Sequence, residues 1–222
     1  MVRIFSSLAI VATLLLLTAM VFGLSVGFEI GAYNGIYAQR LEAQQRLTKQ
    51  QTAGQNDLAE ETQLEIEGLD SQFLTVVRRA SLHMLVGILA AIVAILVSSI
   101  SVTYFIGTSR WCKEVIDTYG LDSALSAESR RLKRKSFPWA LLGIISVILI
   151  VSFGGASDPS TGMKSTAEWA LPHFVVALGG TTAIVFSYLK QASFIRQNSD
   201  LVEKILGEVH RIRIERGLDV ES

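Results

Sequence analysis

Four apolar stretches constrain this chain more than any other feature of its 222 residues. A helix needs about 20 mainly apolar residues to cross the hydrocarbon core of a bilayer. Four segments meet or approach that length, and none contains a lysine, arginine, aspartate or glutamate: 4–28, 80–106, 137–153 and 169–189. The sequence therefore predicts an all-α, polytopic integral membrane protein with four transmembrane helices.

Composition supports this class and excludes others. Half of the residues are hydrophobic and the mean hydropathy is +0.42, which is too apolar for a soluble domain of this size. Lysine plus arginine equal aspartate plus glutamate at 20 each, so no net charge favours nucleic acid as a partner. The single cysteine, Cys112, excludes an intramolecular disulfide and a multi-cysteine metal site. The first span is longer than a signal-peptide core and lacks a small-residue cleavage site, which predicts a retained anchor.

The distribution of basic residues predicts the orientation. Fourteen of the 20 lysines and arginines lie in 1–3, 107–136 and 190–222. By the positive-inside rule, both termini are cytoplasmic, and we expect a bacterial-type inner membrane. The densest cluster is RRLKRK at 130–135, which we interpret as a topology anchor in preference to a specific site for anionic lipids.

The predicted organisation has four parts. They are spans one and two with the loop 29–79 (1–106), a cytoplasmic loop (107–136), spans three and four (137–189) and a cytoplasmic tail (190–222). The loop 29–79 is rich in helix formers, with a turn near Gly54 and Asp57 as N-cap. An apolar stripe runs from it into span two without a break. We therefore expect an extended extracytoplasmic helical hairpin.

Two helices are predicted on the cytoplasmic side. A short interfacial helix spans 109–119 and stops at Gly120. The tail forms an amphipathic helix that ends near Gly217 and buries its stripe against that short helix, another copy or a partner. The stripe consists of Ile195, Asn198, Val202, Ile205, Val209 and Ile212.

Small residues recur every fourth position where span one leaves the membrane. In lipid, helices associate through close van der Waals contact and polar bonds, so small residues on one face let backbones approach. Residues four apart share one face, which predicts a helix-packing seam. Its members are Ala19, Gly23, Gly27, Gly31 and Gly35 on the first span, with Gly87 and Ala91 on the second and Gly180 on the fourth. The seam could hold a helix of the same chain, a helix of another subunit or a flat cofactor.

Two histidines, His83 and His173, are the only candidate cofactor ligands. Both lie on small-residue faces near the outer ends of their spans, so together they could provide the axial imidazoles of a b-type haem or contact another pigment. Their depths argue against this. His83 precedes Arg110 by 27 residues and His173 precedes Lys190 by 17, a difference of roughly 15 Å along a helix. Two histidines alone also lack a third ligand for a metal site.

No other group predicts chemistry. Glu29 with Arg78 and Arg79 is expected to form an ion pair at the outer rim. No aspartate, glutamate, lysine or arginine lies within a span, and no nucleotide, zinc-protease or serine-hydrolase motif is present. We therefore expect no catalytic residues, no metal site and no enzymatic activity.

The sequence favours an accessory or scaffolding subunit that docks to other membrane subunits, or to its own copies, through the glycine-rich seams. One alternative is a haem- or pigment-binding electron-transfer subunit that uses His83 and His173. The other is a membrane sensor, in which the hairpin receives a signal and the tail transmits it.

Overall fold

The chain folds as four long α-helices joined by short connections. The computed structural model describes residues 1–158 and 166–218, without the side chains of 28–34, 76 and 166–167. The elements are α1 (Val2–Thr52), α2 (Asn56–Tyr119), α3 (Ser123–Ser157), a 3-10 turn (Thr166–Trp169) and α4 (Ala170–Glu215). All four helices are long and apolar enough to cross a membrane. The predicted all-α class with four candidate spans is confirmed, and no strand occurs in the described ranges.

Glycines end three of the helices as predicted. Gly54, Gly120 and Gly217 have φ values of 71°, 67° and 64°, a left-handed conformation that residues with a Cβ adopt at a cost. Gly54 lies in the turn between α1 and α2, and Gly120 is the C-cap of α2. Because these connections are so short, consecutive helices run antiparallel. The Gly54 turn marks what we call the hairpin end, and the Gly120 turn and both termini mark the terminal end.

Two local predictions were wrong. The helix expected separately at 109–119 is the last part of α2, which runs unbroken to Tyr119. Gly107 weakens a helix only slightly, and the buried residues Cys112 and Ile116 continue the packed stripe beyond it. Asp57 is not an N-cap: Gln55 holds that position without a side-chain bond, and Asp57 lies in the first turn, where its charge favours the helix dipole.

The helices form a closed ring in which α1 packs on α2, α2 on α3, α3 on α4 and α4 on α1, and α2 also contacts α4 across the diagonal. At the hairpin end, α1 and α2 continue alone around a small core of Ala43, Ile66 and Leu69. Two ion pairs flank this core, Arg40–Asp70 at 2.5 Å and Arg46–Glu65 at 2.7 Å.

At the terminal end, α2, α3 and α4 continue past the start of α1. Their contact contains a buried polar network centred on Asn198, which is 0% exposed. Its side-chain amide donates to Tyr104 Oη at 3.1 Å and to Thr108 Oγ1 at 3.0 Å. The Ser129 hydroxyl donates to Asn198 Oδ1 at 3.3 Å. One side chain of α4 is thus bonded to both α2 and α3.

We predict that Asn198→Ala destabilises the bundle. The change leaves the half-buried hydroxyls of Tyr104 and Thr108 and the buried hydroxyl of Ser129 without this partner, which should lower the free energy of unfolding by about 1–3 kcal/mol. Denaturation of the purified protein in mild detergent, followed by circular dichroism, measures the effect. The control is Gln197→Ala, because the exposed Gln197 side chain bonds only to Ser193 of the same helix. Equal stability of the two variants would contradict the prediction.

Candidate functional site

The two histidines lie side by side within the bundle. His83 extends from α2 and His173 from the first turn of α4, and their ring centroids are 6.3 Å apart with an interplanar angle of 64°. The depth difference expected from the sequence was therefore wrong: the two imidazoles occupy the same level. The diagonal contact between α2 and α4 brings them together.

The error came from using Lys190 as a marker of depth. Tyr188 donates a hydrogen bond to the carbonyl of Ala94 at 3.0 Å, so this part of α4 lies level with Ala94, 16 residues before Arg110 on α2. The backbone of Lys190 therefore lies well before the terminal end of the bundle. Its ammonium lies 5.2 Å from the centroid of the Phe186 ring.

His83 is held against α1. Its Nδ1 lies 3.0 Å from the carbonyl oxygen of Ala19. Because a carbonyl only accepts, Nδ1 carries the proton in this bond, and in the neutral ring Nε2 is left as an acceptor. A Cβ placed on Gly23 would lie 2.9 Å from His83 Cε1. Glycine at this position is therefore what allows the imidazole to approach α1.

His173 is packed in a similar way against α3. A Cβ placed on Gly154 would lie 3.2 Å from His173 Cε1. The Nδ1 atom of His173 is buried and has no hydrogen-bond partner among the described residues. An unpaired buried nitrogen is costly in a bundle interior, which makes this atom the least satisfied part of the pair. The sequence pattern did not identify Gly154, since it lies just past the predicted span 137–153 and has no small residue four positions before or after it.

The pair offers limited chemistry. Nε2 of the neutral His83 ring could accept a hydrogen bond or ligate a metal, and the unpaired Nδ1 of His173 could donate or accept a hydrogen bond, or ligate a metal, according to its tautomer. Within the described residues, no group of three or more His, Cys, Asp or Glu side chains is placed to hold a metal ion. A metal ion bound here would therefore have only these two histidines as ligands among the described side chains. The other chemically reactive side chain, Cys112, is fully buried.

The predicted seam on α1 is divided. Ala19 is buried and Gly23 contacts His83. Gly27 and Gly35 are exposed, and a Cβ on either would meet no atom within 4 Å. Gly31 lies among the residues whose side-chain surroundings are not described. Among the described residues, close packing along this glycine series thus ends at Gly23, with no neighbour for a Cβ at Gly27 or Gly35, and α1 packs closely on α2 again at Ala43.

The small residues on the other spans also differ. A Cβ on Gly180 of α4 would lie 2.8 Å from Ile150 Cδ1, whereas one on Gly87 of α2 would meet nothing within 4 Å. Ala91 is half-buried against the main core. Gly180 therefore serves the packing of α3 on α4, and Gly87 serves no contact in the described part of the chain.

The rim ion pair stays a prediction. The Glu29 side chain lies outside the described residues, whereas Arg78 and Arg79 are exposed near the point where α2 leaves the four-helix bundle. Comparison with protein-family models, with curated proteins and with solved structures gives no match for the chain.

We predict that Gly23→Ala destabilises the protein whereas Gly27→Ala does not. The added methyl group at position 23 overlaps His83 and displaces the imidazole from Ala19, and overpacking of this kind costs about 1–3 kcal/mol. At position 27 the methyl group enters open space, and replacing glycine in a helix is neutral or stabilising by about 0.5–1 kcal/mol. Thermal unfolding of both variants in the same detergent provides the comparison, and equal midpoints would disprove the contact.

Proposed function

We propose that this chain is a non-catalytic accessory or scaffolding subunit of a larger membrane protein complex, and that it docks through the outer part of the α1 glycine face. The observation that carries the proposal is the open surface at Gly27 and Gly35. Glycine in a helix costs stability, and in lipid that cost is offset when another helix packs closely on the same face. At Gly23 that offset comes from within the chain. At Gly27 and Gly35 it would come from a partner.

The hairpin supports docking from outside the membrane. The positive-inside rule puts both termini in the cytoplasm of a bacterial-type cell and the hairpin on the opposite side of the inner membrane. Apolar side chains remain exposed on this two-helix arm: Tyr37, Leu41, Leu58, Leu64 and Leu74. In water, such side chains give a partner an apolar surface against which to pack. Other membrane subunits are the proposed partners, with self-association as the alternative.

Gly27→Leu tests the proposal. A Cβ at position 27 has no described atom within 4 Å, so we expect the leucine variant to fold and insert normally, but the leucine should block close approach of a partner helix. We expect less of the complex to be recovered when the tagged full-length chain is purified from its native membrane in mild detergent, as measured by quantitative mass spectrometry of co-purifying subunits.

Ser25→Leu is the matched control. Ser25 is exposed two positions away, on another face of α1, and bonds only to the carbonyl of Phe22 in its own helix. The Ser25→Leu variant adds a leucine at nearly the same depth as Gly27→Leu. Equal recovery of the complex with Gly27→Leu, Ser25→Leu and the unmodified chain would reject docking through this face.

A second candidate is a haem-binding electron-transfer subunit, favoured by the close approach of His83 and His173. Two axial imidazoles must face one iron from opposite sides, and rings 6.3 Å apart are close enough to share a ligand. The room beside Gly23 and Gly154 is filled by the imidazoles themselves, so a macrocycle requires the rings to turn away from both glycines.

A visible absorption spectrum of the natively purified chain distinguishes the two candidates. The scaffold proposal predicts no haem band from this subunit. A haem band that is lost in both His83→Ala and His173→Ala, while circular dichroism of the variants stays unchanged, would instead establish the electron-transfer function.

A further inference from the structure

The basic cluster at the start of the third span has no side-chain partner among the residues that the structure describes. Its five cations lie on α3 just before the apolar segment: Arg130, Arg131, Lys133, Arg134 and Lys135. None of them forms an ion pair or a hydrogen bond with any side chain that the structure describes. Two other cations at this end are paired: Arg110 contacts Glu114 at 2.9 Å and Arg211 contacts Glu208 at 2.6 Å. The cluster therefore presents uncompensated positive charge.

Two of these cations border an apolar groove between α2 and α3. The groove has a volume of about 330 Å³ and is lined by Ile106, Lys133, Arg134, Phe137 and Pro138. Ile106 and Phe137 are 56% and 50% exposed, so the apolar wall opens outward from the bundle. Arg130 and Arg131 belong to the same cluster but do not line the groove.

The groove lies where we expect the membrane surface. Ile106 is the last residue of the predicted second span and Phe137 the first of the third, and the two meet in one groove although they come from different helices. An aromatic residue, Trp139, follows on α3, and its ring lies 5.9 Å from the ammonium of Lys190. Tryptophan is typical of the boundary between hydrocarbon and headgroups.

We propose that this groove binds an anionic glycerophospholipid. Lys133 and Arg134 would bind the headgroup phosphate through charge-assisted hydrogen bonds, and an acyl chain would lie along Ile106, Phe137 and Pro138. Basic pockets between transmembrane helices bind acidic headgroups in this manner. A cluster that served only to set topology would need charge but no groove. A site for free phosphate would need no apolar wall beside the cations.

The test compares two double variants of the full-length protein that remove the same charge. Lys133→Gln/Arg134→Gln alters the groove, and Arg130→Gln/Arg131→Gln alters only the cluster. Each protein is purified in mild detergent and titrated with phosphatidylglycerol, with phosphatidylcholine of identical acyl chains, or with inorganic phosphate. Native mass spectrometry counts the bound lipid, and thermal unfolding reports stabilisation.

We expect the unmodified protein and the Arg130/Arg131 variant to bind phosphatidylglycerol in preference to phosphatidylcholine. The Lys133/Arg134 variant should lose about tenfold or more in that preference, since each cation near an acidic membrane surface contributes about one order of magnitude or slightly less. Equal losses in the two double variants would show general attraction to charge and overturn the site. Equal stabilisation by inorganic phosphate would overturn the lipid as its ligand.

Ile106→Trp tests the apolar wall independently of charge. The larger side chain fills the groove while all five cations remain, so we expect weaker retention of phosphatidylglycerol together with an unchanged circular dichroism spectrum. Undiminished lipid binding by this variant would contradict an acyl chain lying in the groove. This measurement also remains informative if the Lys133/Arg134 variant fails to fold.

Discussion

Close contact between helix backbones is the feature on which this bundle depends. Inside lipid there is no gain from hiding apolar surface from water, so helices associate through dense packing and polar bonds. The interior is built accordingly, from small side chains that are almost completely buried: Ala12, Ala90, Ala94, Ser98, Ser101, Ala140 and Ser187. Large apolar residues instead cover the outside, where Leu85, Ile92 and Leu189 are about two-thirds exposed. Small side chains inside and large apolar side chains outside are what a lipid solvent favours. The positions of larger interior side chains are then fixed by specific hydrogen bonds.

Those bonds run from side chains of one helix to backbone carbonyls of the next. His83 Nδ1 bonds to Ala19 between α2 and α1, and the Tyr188 hydroxyl donates to Ala94 between α4 and α2. The Ser187 hydroxyl donates to the carbonyl of Trp139 between α4 and α3 and accepts from Gln191. A helical carbonyl already accepts one bond but has a second lone pair. Each contact therefore adds a link without breaking a helix, and it fixes rotation as well as register, which apolar packing alone specifies weakly.

The elements of the fold could be predicted from the sequence because length, apolar composition and glycine are local signals. The prediction of the four spans and of the turns at Gly54 and Gly120 required only these local signals. Two features depended on neighbours and were missed. The continuity of α2 past Gly107 comes from packing of Cys112 and Ile116 against other helices. The meeting of His83 and His173 depended on how far α4 is displaced along α2, which the Tyr188–Ala94 bond sets. Lys190 was a poor measure of depth, because α4 stays packed beyond it, with Ile195, Asn198 and Ile205 still buried.

The continuity of α2 connects features that the sequence analysis treated separately. One helix of 64 residues, roughly 96 Å long, carries Ile66 in the hairpin core, His83 in the histidine pair, Tyr104 in the polar network and Ile106 in the proposed lipid groove. A long helix packed at both ends moves as a unit more readily than it bends. A partner bound at the hairpin and a lipid bound in the groove would therefore act on the same rigid element. If either ligand shifts α2 against α4, thermodynamic linkage requires each to change the affinity of the other by the same factor. The His83–His173 contact lies between the two sites and joins those same helices, so it is the part of the interior that such a shift would disturb first.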